Sequence, residues 1–372
     1  MKLLLRLQNR HVVAWALVAL TMVVIVAATA VVLRPAGVAR GASAPSWLVV
    51  ASNRDGGEEY SLDGQTYVLR PDGSRLTSLL GTDSRLTPVA VSGNGREIAY
   101  ENSAAVGGGA VYVSDSDGTG LVRVLRQGRE QRFSGAELSP GGERVAITWV
   151  DPNDHPKLFV VDSDRRRPHA LGRAATPTWS SDGSLLVFAT HSGCAFAPEP
   201  FAKIQARIHR PCSHPVFSPD AQFVAFQTRS RCAVVRTPGI SWESRLRIPA
   251  GDRPVLLSGT CAGPVWSPDG RWIAYQSPGC LFCDSEKQRR AALRQLGVWV
   301  VRPDGSGRRR VGPADEESGA AYSWSPDSRR LAITSGSELV FATLDGRTSR
   351  VRGLNPYSRL RRWSDHRRTA TG

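Results

Sequence analysis

The sequence holds no Gly-x-Ser-x-Gly elbow, no phosphate-cradling glycine loop, no Ser/His/Asp order and no carboxylate pair in a glycosidase setting. Acyl transfer, nucleotide chemistry and glycoside hydrolysis therefore lack their usual centres. Lysine is nearly missing as well: Lys2, Lys157, Lys203 and Lys287 stand against 44 arginines in 372 residues. The formal charge of +15 thus rests on one residue type, as a GC-rich coding bias would produce. No aromatic–basic stacking motif accompanies that charge, and no nucleic-acid partner is expected. No cysteine follows the N-terminal apolar segment directly, so a lipid attachment there is not expected. Neither a metal nor a cofactor is expected.

What the chain does have is repetition. Leu138-Ser-Pro-Gly-Gly, Trp179-Ser-Ser-Asp-Gly, Phe217-Ser-Pro-Asp-Ala, Trp266-Ser-Pro-Asp-Gly and Trp324-Ser-Pro-Asp-Ser are copies of one phrase. Val91-Ser-Gly-Asn-Gly is a weaker copy and Trp363-Ser364-Asp365 a truncated one. A period of roughly 40 residues marks a repeat architecture in which no unit buries its apolar face alone. Each copy reads as a hairpin: a first strand ending in an aromatic or aliphatic residue, a Pro-Asp-Gly turn, then a short apolar strand such as Ile98-Ala-Tyr100 or Ile273-Ala-Tyr275. The recurrent Ala suits a close approach of the next sheet. A second hairpin turns on Asp72-Gly73, Asp117-Gly118, Asp304-Gly305 or Asp345-Gly346, and Asp164 ends a variant without Gly. Two hairpins make a four-stranded propeller blade.

These motifs resemble the TolB-like propeller repeat family, relatives of WD-type repeats, over roughly residues 46–365. The resemblance implies an all-β fold. Two departures stand out: seven motif copies where the family's namesake has six blades, and no separate N-terminal domain. Family members fused to serine peptidases have no counterpart here, because there is no hydrolase elbow and no room for that domain. Trp47-Leu-Val-Val-Ala51 matches a second strand with no first strand before it, and Leu360-Arg-Arg-Trp363-Ser364 matches a first strand with nothing after it. The expectation is a seven-bladed β-propeller of four-stranded blades, the first blade completed by a C-terminal strand at about 359–364 and the whole preceded by one N-terminal transmembrane helix.

Val12 to Leu33 is 22 residues without a charge, enough to span a bilayer. Lys2, Arg6 and Arg10 favour an N-in orientation. The reading is a retained signal-anchor. The alternative is a signal peptide cleaved after Ala42-Ser-Ala44, a site followed by Pro45. The chain then divides into a cytoplasmic tail (1–11), a transmembrane anchor (12–33), a linker (34–45), the propeller (46–365) and a basic tail (366–372). The expected place is the cell membrane, single-pass, with a monomeric propeller on the extracytoplasmic side.

Six cysteines in an exported domain read as candidate disulfides. Cys194, Cys212, Cys232, Cys261, Cys280 and Cys283 all lie in copies four to six, after a second strand or before a first strand, hence on one face of the disc. Sequential pairing is the simplest; Cys212–Cys232 with Cys261–Cys280 is a rival. Cys280-x-x-Cys283 precedes a helix that Asp284 or Ser285 caps and Gly297 ends. Redox activity there has no thioredoxin-like context and gives way to a structural loop. His191, Cys194, His209, Cys212 and His214 suit zinc by type but match no finger spacing. Copy four lacks an Asp-Gly turn between Phe201 and His209. Candidate binding-face residues are Asp151, Asp154, His191, Asp284 and Glu286. Two functions stay open. One is a non-catalytic scaffold for an envelope protein, an anionic wall polymer or a lipid surface. The other is a small-ligand sensor or enzyme using the central channel or the Cys-rich loop face.

Overall fold

A computed structural model describes residues 86–350 apart from 103–108, 127, 129–130, 164–167, 202, 230, 238–254, 258, 278–284, 315–319 and 336–337; outside that range it describes the strands 47–52, 65–69, 77–78 and 359–364. The described strands pair into seven antiparallel sheets of four. Sheets two to seven follow the chain, each starting with its own first strand: Thr87–Val91, Arg132–Leu138, Ala174–Trp179, Ser213–Phe217, Ala262–Trp266 and Ala320–Trp324. In sheet one, Trp47–Ser52 pairs on one side with Gln65–Leu69 and on the other with Arg359–Ser364, which lies beside the first strands of sheets two and seven. The fold is all-β and propeller-like. Among the described residues one helix, α1 (Glu286–Gln295), interrupts the strands, and no helix is long and apolar enough to cross a membrane. The expected anchor, residues 12–33, lies outside the described residues.

The repeated phrase is a closed hydrogen-bond circuit. Ser92, Ser139, Ser180, Ser218, Ser267 and Ser325 are buried. Each Oγ accepts from the backbone N–H five residues on, at 2.9–3.0 Å. In five copies the same Oγ donates to the Oδ1 of Asn94, Asp182, Asp220, Asp269 or Asp327 at 2.5–2.7 Å. That Oδ1 also accepts from the N–H two residues further on. A buried hydroxyl must find partners, and here the turn supplies them. The motif carboxylates are engaged through Oδ1 inside their own turns, where they hold the fold. The turn's last residue takes positive φ whether it is Gly183 (74°), Gly270 (72°), Ala221 (56°) or Ser328 (59°).

The motif tryptophan joins neighbouring sheets. Trp179 Nε1 donates to Glu137 O, Trp266 Nε1 to Val216 O and Trp324 Nε1 to Val265 O, each at 3.2 Å. The acceptor is always the residue before the motif's aromatic or aliphatic position in the preceding sheet. The indole therefore buries its ring between two sheets and satisfies its N–H there. The recurrent small residues Ala99, Ala146, Ala225, Ala274 and Ala332 are fully buried, as close sheet packing requires.

Candidate functional site: the disulfide-tied loop face

Sheets four to six are bonded to one another covalently. Cys194 is the second residue of Gly193–Pro198, the third strand of sheet four, and bonds to Cys212, which directly precedes the first strand of sheet five. Cys232 begins the third strand of sheet five and bonds to Cys261, directly before the first strand of sheet six. The Cα separations are 5.5 and 5.4 Å, so the two bridges are equivalent. This is the sequential pairing; the rival Cys212–Cys232 pairing does not occur. Cys194 and Cys232 lie in third strands rather than in the connections before them, and all four cysteines are buried. At the corresponding positions Val111 and Phe133 join sheets two and three, and Leu158 and Ala174 join sheets three and four, as members of shared apolar clusters. The disulfides thus replace an apolar contact between adjacent sheets. Cys280, Cys283 and Asp284 lie outside the described residues.

The connections on this face carry the other candidates. Asp151 and Asp154 share the turn between the second and third strands of sheet three. Asp151 Oδ1 accepts from the N–H groups of His155 and Asn153 at 3.0 Å, and Lys157 Nζ stands 3.4 Å from Oδ2. The bond from the His155 N–H, then that from Asn153 and the Lys157 charge, hold its carboxyl below the usual range. Asp154, at φ 60°, pairs with Arg132. His191 is exposed in the matching turn of sheet four. Ser285 caps α1, its Oγ accepting from Gln288 N–H at 3.3 Å, and no residue of the helix is buried. Glu286 is exposed and pairs with Arg290. The structure puts Asp151 with Asp154 and leaves His191 and Glu286 on separate sheets. Bonding of Cys194 to Cys212 removes two thiolates from the His/Cys group, and among the described residues no cluster of His, Cys, Asp and Glu could hold a metal ion.

Sequence reasoning missed a second feature. Sheets four, five and six each break register in the first strand, at Thr176-Pro177, His214-Pro215 and Gly263-Pro264. The residue before proline sits at φ 47°, 49° and 58°. A Thr there is a backbone outlier, and such strain clusters at functional sites. Thr178 Oγ1 donates to Pro215 O at 2.8 Å, and Tyr322 Oη to Gly263 O at 2.5 Å, which secure two of the bulges from neighbouring sheets. Thr176 Oγ1 and His214 Nδ1 are buried without a hydrogen-bond partner. The X-Pro pair three residues before the motif position was a visible signal in all three copies.

Burial pulls the His214 imidazole down to about 4, so it is neutral in the folded protein over the ordinary range. The unfolded chain takes up a proton near pH 6.5 and the folded one does not. Stability is therefore lost as pH falls from about 6.5 toward 4. Urea unfolding at pH 7 and pH 4.5 is expected to show a loss of about 2 kcal/mol in the parent beyond that of H214Q. Equal losses in the two proteins would show that His214 does not contribute.

No protein-family model matches the sequence, and no curated protein matches it. Solved structures do. The periplasmic gluconolactonase PpgL of Pseudomonas aeruginosa shares 15% identity at TM-score 0.53, over 87% of this chain and 99% of that one. The β-propeller domain of Cps50 (Swd1) from Myceliophteria thermophila shares 12% identity at TM-score 0.51, over 77% of this chain and 90% of that one. TolB from Acinetobacter baumannii shares 15% identity at TM-score 0.44, over 71% of this chain and 62% of that one. Likeness at this identity concerns the fold alone: the chain is similar to β-propellers.

Proposed function

We propose that the chain is a seven-bladed, monomeric propeller closed by its C-terminal strand and tethered by residues 12–33 to the cell membrane, with the propeller outside the cytoplasm. It serves there as a non-catalytic scaffold whose loop face, on blades three to six, binds an envelope protein or an anionic polymer or lipid surface. The observation that carries this reading is the pair of equivalent disulfides. Disulfides persist in oxidising compartments. These two cross-link three successive sheets, and Cys194 follows His191 by three residues. A face held rigid in advance loses less entropy on binding. Helix α1 adds Lys287, Arg289, Arg290 and Arg294, and none of its residues is buried, which suits a partner rather than a core.

The test is a photoreactive amino acid placed at His191 or Asp154 in intact cells. Discrete adducts are expected from these positions and not from Asp220 on the opposite face. Equal labelling from both faces, or none from either, would overturn the reading. A second reading has its own observation: the unpartnered Thr176 Oγ1 and His214 Nδ1 on adjacent first strands would suit a small neutral ligand.

A further inference from the structure

The outer half of sheet six carries a basic patch that meets the end of α1 at Gln295. Trp272, just before the second strand, has two guanidiniums over its ring: Arg302 Cζ is 5.3 Å and Arg309 Cζ 4.5 Å from the centroid. Arg308 Cζ is 3.6 Å from the ring centroid of Trp299, in the third strand, Gly297–Val301. Its Nε donates to Tyr275 Oη at 2.6 Å and its Nη2 to Gln295 Oε1 at 3.0 Å. Glycines make room for these side chains. A Cβ on Gly259 would lie 2.9 Å from Arg308 Nη2, one on Gly297 2.5 Å from Arg310 Nε, and one on Gly307 3.4 Å from the Trp272 ring.

These cations are held but not neutralised. Among the described residues no carboxylate comes within ion-pair distance of Arg308, Arg309 or Arg310. Asp304, in the adjoining turn, accepts from Ser306 N–H at 2.8 Å. Arg302, Arg309 and Arg310 are exposed. Stacking on an indole restricts a guanidinium's rotamers without reducing its charge, so the ordering cost of binding is already met. The forked donors match phosphate and carboxylate oxygens. Arg308 lies over the Trp299 ring and Arg302 and Arg309 over the Trp272 ring, so arginine occupies positions where a base would otherwise stack. The outer strand, Arg309–Gly312, runs about 13 Å, the length over which a linear chain could lie along this edge.

We propose that this edge of sheet six binds a linear polyanion, a polymer carrying phosphate or carboxylate groups along its length. A charge of +15 attracts any polyanion, so the experiment compares two arginine clusters within one molecule. Full-length protein in a neutral detergent is titrated into labelled long-chain inorganic polyphosphate at about 0.15 M salt. R308A/R309A/R310A is expected to weaken binding at least about tenfold and to reduce the salt dependence by about two to three ions. R309Q/R310Q, which keeps the Arg308 bonds to Tyr275 and Gln295, should lose a smaller but clear part. R123A/R126A, on the outer strand of sheet two, should change binding less than about twofold. Equal losses in the sheet-two and sheet-six variants would overturn the proposal, because the site would then be net charge alone. Patch-dependent binding to phosphatidylglycerol vesicles without binding to polyphosphate would overturn it in favour of a lipid surface.

Discussion

Trp266→Ala is expected to destabilise the propeller by about 3–5 kcal/mol. The indole is 4% exposed, packs in the cluster that joins sheets five and six, and donates its N–H to Val216 O. Truncation leaves a cavity between the sheets and a carbonyl without its donor. Trp266→Phe separates the two effects. It keeps most of the ring and loses the hydrogen bond, at an expected cost of about 1–2 kcal/mol. Urea unfolding reads both values through the midpoint, provided the slope is unchanged. A loss below about 1 kcal/mol for Trp266→Ala would mean that the motif tryptophan is not what joins the sheets.

Replacing Cys194 and Cys212 together by Ala is expected to cost about 3 kcal/mol, and the Cys232–Cys261 pair about the same. The bridges close segments of 18 and 29 residues, and the cross-link entropy changes slowly with that length. Geometry suggests a rescue. Sheets three and four fill the same position with Leu158 and Ala174. Cys194→Leu with Cys212→Ala should therefore recover packing that the double alanine variant lacks, while leaving the unfolded chain unconstrained. Melting under oxidising and reducing conditions checks this. The parent should lose stability on reduction and both variants should respond less. A parent indifferent to reductant would place the bridges outside the stability of the fold.

The period of the repeat, the four-stranded antiparallel unit and the turn chemistry were legible in the sequence because all three are local. Ser, Asp and Gly of the motif bond within a few residues of one another, so spacing alone reports them. The N-cap of α1 was narrowed to Asp284 or Ser285 for the same reason, and the structure puts it at Ser285. What the motif tryptophan does was not readable. Its acceptor, Val216 O for Trp266, lies 50 residues away and is set by which sheets become neighbours.

The cysteines divide along the same line. The number of cysteines, with the export expected from the N-terminal apolar segment, pointed to disulfides, while the partners depended on third strands meeting first strands of the next sheet. The arginines divide most sharply. In the sequence Arg308 to Arg310 is a basic run with no aromatic pattern beside it. Only the pairing of Val300 with Arg309 and of Trp299 with Arg310 brings Trp272 and Trp299 beneath the guanidiniums. The sequence by itself determined the repeating unit and its turns, because those energies act between near neighbours along the chain. The tertiary structure alone decided the inter-sheet hydrogen bonds, the cysteine partners and the arginine–tryptophan edge, because each needs residues that only sheet packing brings together.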